Sequence, residues 1–307
     1  MNRWADHKAV TWFSRFCDGS ALSLGVARSI VHGTFLTATL VTSFSALAQL
    51  PVTILRPTGL MKLLPWSFYD QLLTPSGILV FKGLMFASLL LSTFGLFTSV
   101  STKLSLVLVV FYQGLVRSFG HFNHDEMLAV YLLVVLAFVP CGDQFSLDHW
   151  AKRKQPDKPN IAYGYPVLLM QLLMAWVYFS SALVKLRVAG LKYLSPDNFP
   201  VLAIIHSLDN LHDTSFRYAF WLPQVRGLLP IVVGLVLLWE LIFPLAVFSR
   251  RARWWILGFG VLFHLATLFL MNIFFPYQLA MYLIFVDWDR LGAWINRRSS
   301  ITCVLGT

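Results

Sequence analysis

The sequence predicts an all-α protein, a polytopic transmembrane helical bundle of about eight spans with an N-terminal interfacial helix. Three observations carry this. Hydrophobic residues make up 57% of the 307 and charged residues only 12%, where soluble domains carry roughly 25% charged. The mean hydropathy is +0.68. Apolar stretches near the roughly 17–25 residues that a helix needs to cross the hydrocarbon core recur along most of the chain.

Taken in order, the predicted spans are Ser29–Leu50, Ile78–Phe97, Leu104–Ser118, Met127–Cys141, Tyr165–Arg187, Leu228–Phe248, Trp254–Asn272 and Pro276–Leu291. The third and fourth are short. The polar turn between them is therefore expected to dip below the headgroups, which suits a protein-lined cavity better than a solvent loop. Basic residues orient the bundle. With the N-terminus inside, the inner segments hold the larger share of Lys and Arg, among them Arg28, Lys152, Arg153, Lys154, Arg250, Arg251, Arg253, Arg297 and Arg298. Outer segments hold Arg56, Lys62, Arg117, Arg187, Lys192, Arg217 and Arg226. Both termini are thus predicted cytoplasmic, in a cell membrane. The net charge of +10 follows from this bias and from anionic lipid, so nucleic acid is not an expected partner.

Residues 1–28 read as a cytoplasmic and interfacial segment, 29–291 as one membrane domain and 292–307 as a tail. Met1–Ser20 lacks the continuous apolar core of a secretory signal. Trp12, Phe13 and Phe16 share a helical face, as a helix lying in the interface requires. The outer loops Pro51–Gly77 and Val188–Gly227 are too short for separate cores. Cys17, Cys141 and Cys303 are far apart, without a CxxC or a disulfide framework.

Lys185 is the first chemical candidate, because the run from Tyr165 to Leu186 holds no other charge. Two readings stand: the side chain snorkels outward beside Arg187, or burial favours the neutral amine, which is a base. A second polar cluster, His121-Phe122-Asn123-His124-Asp125-Glu126, lies between two apolar helices. As a metal pair His121 and His124 are too few, since zinc needs three or four ligands, and no metal is expected. The cluster reads either as a polar wall, with Asn123 and His124 orienting a small polar ligand, or as a helix cap formed by Asn123 or Asp125. Lys185 and this turn fall on the same predicted side, so one cavity can hold both.

Glu240 lies mid-span, four residues before Pro244, which withholds an N–H and should kink the helix. An intramembrane acid faces a bundle interior as a rule. It serves there either as a ligand contact or, when protonated, as an interhelical hydrogen-bond donor. His264, in the seventh span, reads as a packing histidine or as a ligand contact.

Asn123-His124 ahead of an apolar helix ending in Cys141-Gly142-Asp143-Gln144-Phe145-Ser146-Leu147-Asp148 resembles the HTTM domain. That is the membrane domain of vitamin K-dependent γ-carboxylases. Tyr178-Phe179 through Lys185-Leu186 resembles the family's segment around its catalytic lysine. Trp239-Glu240, Phe263-His264 and Phe275-Pro276-Tyr277 resemble its later landmarks. The resemblance implies carboxylase-like lyase chemistry with a reduced, vitamin K-like hydroquinone, O2 and CO2. It makes Lys185 and His124 the catalytic candidates and Asn123, His121, Glu240 and His264 the binding ones. In that scheme Lys185 deprotonates the hydroquinone and a glutamyl carbanion finally captures CO2. The carboxylases carry a large extramembrane domain after the bundle, whereas this chain ends at Thr307, so a free-standing bacterial-type member is expected. Some such members resemble the maturation factor of a sporulation-delaying toxin. The alternatives are therefore a non-catalytic maturation or immunity factor for a small secreted peptide, or a quinone-linked accessory protein.

Overall fold

The computed structural model describes residues 19–120, 125–152, 158–208 and 218–294. The interfacial face of Trp12, Phe13 and Phe16, the cysteines Cys17 and Cys303, the tail after Asn296, and His121, Asn123 and His124 lie outside the described residues. The described residues are mainly helical, with short turns and loops between the helices and one isolated bridge between Gly19 and Asn160. Among the described residues six helices are long and apolar enough to cross a membrane, and Glu126–Ala137 is a shorter apolar one.

The helix ends are set by capping groups, and this moves several predicted boundaries. Helix α1 is Ala21–Val41, because the Ser20 side chain accepts the Ser23 N–H at its start. Beyond Thr42 the chain runs in 3-10 turns, Phe44–Gln49, Val52–Ile54 and Gly59–Leu63, to the short α2, Trp66–Leu72. Hydropathy alone carried the first span eight to nine residues too far toward the C-terminus at both ends. Helix α3, Pro75–Phe94, has Thr74 as N-cap, Pro75 in its first turn and Gly95 beyond its end at φ +69°. This is the usual proline-in, glycine-out asymmetry. A Cβ on Gly95 would lie 2.6 Å from the Arg28 guanidinium.

Helix α4, Thr98–Ser118, has 21 residues, so the third span is not short. It starts early because Asp148, on the small helix α6 (Leu147–Lys152), caps it. The carboxylate accepts from the N–H groups of Phe97 and Thr98, at 2.9 and 2.7 Å, and from the Thr98 hydroxyl at 2.8 Å. Phe97 can therefore hold a left-handed backbone, φ +50°, which costs a residue with a Cβ about 1–2 kcal/mol. Helix α5, Asp125–Ala137, spans 13 residues, or roughly 20 Å at 1.5 Å per residue.

The chain divides into two compact units, residues 1–170 with 286–307, and residues 171–285. In the first, α1 packs on α3, α3 on α4, and α5 on both α4 and α1. Its centre holds Arg28, placed in the inner segment by its charge but fully buried within α1. Its guanidinium donates to the carbonyls of Cys141 at 2.7 Å and Phe145 at 2.6 Å, and to the Ser29 hydroxyl at 3.0 Å. A buried cation is tolerable where carbonyl dipoles replace its hydration.

The division falls inside α7, Ile161–Ala189, which continues as a 3-10 turn to Leu194. The second unit takes α7 from Gln171 on and adds α8 (Asn198–Leu208), a 3-10 stretch (Tyr218–Leu228) that runs into α9 (Leu229–Ile242) as one long apolar helix, α10 (Leu245–Phe248) and α11 (Arg250–Met271). The predicted sixth span is broken at Phe243 and Pro244, where proline withholds its N–H. The predicted eighth span is not one helix. It consists of α12 (Pro276–Met281), a 3-10 turn over Tyr282–Phe285, and a helix from 288 to 294.

Candidate functional site

The second unit gathers polar side chains that are far apart in sequence. On α7, Tyr178, Ser181 and Lys185 are spaced i, i+3 and i+7, so they share one helical face. Glu240 on α9 meets that face. Lys185 Nζ donates to Glu240 Oε1 at 2.5 Å and to Oε2 at 2.7 Å, and the Ser181 hydroxyl donates to Oε1 at 3.2 Å. The Glu240 side chain is 4% exposed and that of Lys185 25%. Both carboxyl oxygens thus accept from the amine, and the two intramembrane candidates form one pair. Arg187, beside which Lys185 would snorkel, is exposed.

Lys185 also lines a cavity of about 420 Å³. The wall is otherwise apolar, built chiefly from Phe199, Val232, Val236, Phe259, Phe263, Leu270, Met271 and Phe275, with Tyr193 and Thr267 as its other polar residues. Among the lining residues Lys185 carries the one charge. Its amine lies 5.7 Å from the centre of the Tyr193 ring. Such a lining is suited to a largely apolar ligand and presents one charged group at one position.

Deeper in the unit, a second polar group is fully enclosed. The Tyr178 hydroxyl is 2.9 Å from His264 Nε2 and 2.8 Å from the Tyr282 hydroxyl. The Tyr178 ring stacks on Phe243, centroids 4.2 Å apart, and meets Trp239 edge-on at 5.0 Å. Trp239 is anchored in turn by an Nε1–H bond to the Ile256 carbonyl. Glycine is required at position 260, where a Cβ would fall 2.4 Å from the Tyr282 oxygen.

The HTTM domain family model matches residues 16–289. The chain belongs to the HTTM domain family. No curated protein and no solved structure matches it.

Of the sequence candidates in this HTTM protein, Lys185 and Glu240 are brought together. His264 lies in the same unit, hydrogen-bonded to Tyr178 and absent from the cavity lining. The proposed meeting of Lys185 with Asn123 and His124 concerns residues outside the described ones, as does His121. Among the described residues there is no group of three or more His, Cys, Asp or Glu side chains that could hold a metal. Sequence reasoning passed over Ser181, Tyr178 and Tyr282 as site residues. One signal was present: a tyrosine seven residues before Lys185 shares its face, and a buried phenol must find a partner.

Proposed function

We propose that this HTTM-family membrane protein is a quinol-dependent enzyme of the carboxylase-like type, with the Lys185–Glu240 pair as its base. The observation that carries the reading is the placement of a carboxylate-paired lysine as the one charge lining an apolar chamber. The fit to a reduced, vitamin K-like hydroquinone rests on that lining. Phe199, Phe259, Phe263 and Phe275 would hold its ring and apolar tail, and Lys185 would receive a hydroxyl group. A bound hydroquinone would supply the reducing equivalents that activate O2 for carboxylation.

The pair can do what a lone lysine cannot. Its proton can sit on either partner, as ammonium with carboxylate or as amine with carboxylic acid. In the second form an amine N–H donates to one Glu240 oxygen, 2.5–2.7 Å away, the carboxyl proton sits on the other oxygen, and the Lys185 lone pair is left to the chamber side. An ammonium at Lys185 would stabilise an anionic oxygen held against it, and the apolar lining would strengthen that attraction. Ser181 holds one Glu240 oxygen in place. The apolar wall keeps water from quenching a strongly basic species. By the positive-inside rule the protein sits in the cell membrane with its basic inner loops in the cytoplasm.

The test is Lys185→Arg against Lys185→Met in membranes supplied with menadiol, following its oxidation and the fixation of labelled bicarbonate. Arginine keeps the charge and the partner but stays protonated. Both variants should therefore lose about 10²-fold or more of the turnover, the scale of a removed general base. An active Lys185→Arg protein would overturn the mechanism and leave the peptide-maturation reading in front.

A further inference from the structure

We propose that the groove between the end of α1 and the first two turns of α3 binds one anionic phospholipid, whose phosphate pairs with Lys82. Hydropathy carries the first apolar stretch on to Leu50, but α1 stops at Val41 and the chain turns into the 3-10 stretch Phe44–Gln49. A short 3-10 turn thus stands against α3 where a helix would have continued. The space between them is a groove of about 450 Å³.

Lys82 is the charge that this groove presents. Pro75, Ile78, Leu79 and Lys82 are spaced i, i+3, i+4 and i+7, so one face of α3 forms one wall. Lys82 lies about 10 Å along the helix axis from Pro75, and it is half-buried. Its amine donates to the Thr42 carbonyl at 2.9 Å and sits 5.2 Å from the centre of the Phe44 ring. Phe44 is 2% exposed and stacks on Tyr112, centroids 4.7 Å apart, so both groups that hold the amine are fixed.

That amine is under-compensated. An ammonium has three N–H donors, and Thr42 takes one. The C-terminus of α1 offers it only about half a negative charge. Among the described residues no Asp or Glu pairs with Lys82, and none lines the groove. Lys185 meets the same need with Glu240. An intramembrane cation pairs with an anion as a rule, and here the counter-charge is left to a ligand.

The other polar groups of the wall suit an oxyanion. The Ser43 and Ser45 hydroxyls are 3.0 Å apart. One hydrogen lies between them, and the second is available to a ligand. Gln49 adds its amide N–H groups. A phosphodiester, with one negative charge shared by two oxygens, can accept from the amine and the hydroxyl together. With no carboxylate in the lining, a choline or ethanolamine headgroup would leave its own cation unmatched, whereas phosphatidylglycerol brings none. The apolar wall decides the source of the phosphate. Leu79 is 70% exposed on a helix long and apolar enough to cross a membrane. The groove therefore opens toward acyl chains, and a bilayer lipid reaches it without crossing water. Bound there, the lipid ties the end of α1 to α3 and stabilises the folded state. The site needs no turnover at Lys185.

The experiment titrates the full chain in maltoside micelles with phosphatidylglycerol or phosphatidylcholine of identical acyl chains. Native mass spectrometry counts the retained lipids, and melting curves follow the gain in stability. The wild type should bind one phosphatidylglycerol at least about tenfold more tightly than phosphatidylcholine, the scale of one hydrogen bond to a charged group. Lys82→Met should lose about tenfold or more of that affinity, while Lys82→Arg, which keeps the charge, should retain it. Lys62→Met, at an exposed lysine, should change nothing. Because Lys82→Met also frees the Thr42 carbonyl, Leu79→Trp is the second variant. It fills the groove, leaves that bond in place, and should abolish the bound lipid at an unchanged melting temperature in phosphatidylcholine. Retention of the lipid by Lys82→Met or by Leu79→Trp would overturn the site. Equal affinity for the two lipids would overturn the charge pairing. A melting gain from inorganic phosphate alone, lost in Lys82→Met, would assign the groove to a free anion and overturn the lipid.

Discussion

Removing one member of the Lys185–Glu240 pair should cost unequal amounts of stability depending on which member goes. Breaking a buried pair costs about 3–5 kcal/mol because the survivor is left charged and desolvated. Glu240, 4% exposed, meets that condition and Lys185, 25% exposed, meets it only in part. In Lys185→Met the carboxylate keeps the Ser181 hydroxyl, a bond to a charged group worth about 1.5–3 kcal/mol. The expected loss is then about 3 kcal/mol, at the low end of the range. In Glu240→Gln an amide of equal size can still accept from Lys185, whose ammonium is already partly solvated, so about 1–2 kcal/mol is expected. The double variant should lose about 2 kcal/mol less than the sum, within the range for residues in direct contact. The assay is reversible unfolding of the full chain in mixed micelles for the wild type, both single variants and the double. A coupling below about 0.5 kcal/mol, the additivity of independent sites, would refute the pairing. A larger loss in Glu240→Gln than in Lys185→Met would refute the asymmetry.

Asp148 should give the protein an acid-side stability loss that Asp148→Asn abolishes. Burial works against its ionisation, but the Thr98 and Phe97 bonds and the nearby Lys152 outweigh it and hold the carboxyl below its ordinary value. A lowered folded-state value stabilises above the unfolded one, near pH 4, and the gain disappears as pH falls through the folded one. Melting curves of wild type and variant should therefore differ at pH 7 and converge below about pH 4. Reporter fusions at Lys158 and Arg251 should read cytoplasmic and one at Tyr193 external, and a reversed pattern would overturn the orientation drawn from the basic loops.

The sequence by itself determined the class of this protein and its rare intramembrane charges. A run such as Leu228–Phe248 is apolar whatever surrounds it, and bilayer thickness turns that property into a span. Glu240 and Lys185 stood out for the same local reason, that ionised groups are costly in such runs. The break at Pro244 was equally local, since proline lacks its N–H in any context. Span starts were less legible. Ser20, Thr74 and Ser249 begin helices by accepting backbone N–H groups, and a hydropathy window discards polar residues of this kind. Asp148 shows the limit most clearly, because it caps a helix that starts fifty residues earlier. Only the tertiary structure decided the pairings. Lys185 meets Glu240 across 55 residues, Tyr178 meets Tyr282 across 104, and Arg28 reaches the Cys141 carbonyl across 113. A buried polar group must find a partner, but its own neighbours in sequence do not say which one, because the choice belongs to the packing of helices that are distant along the chain.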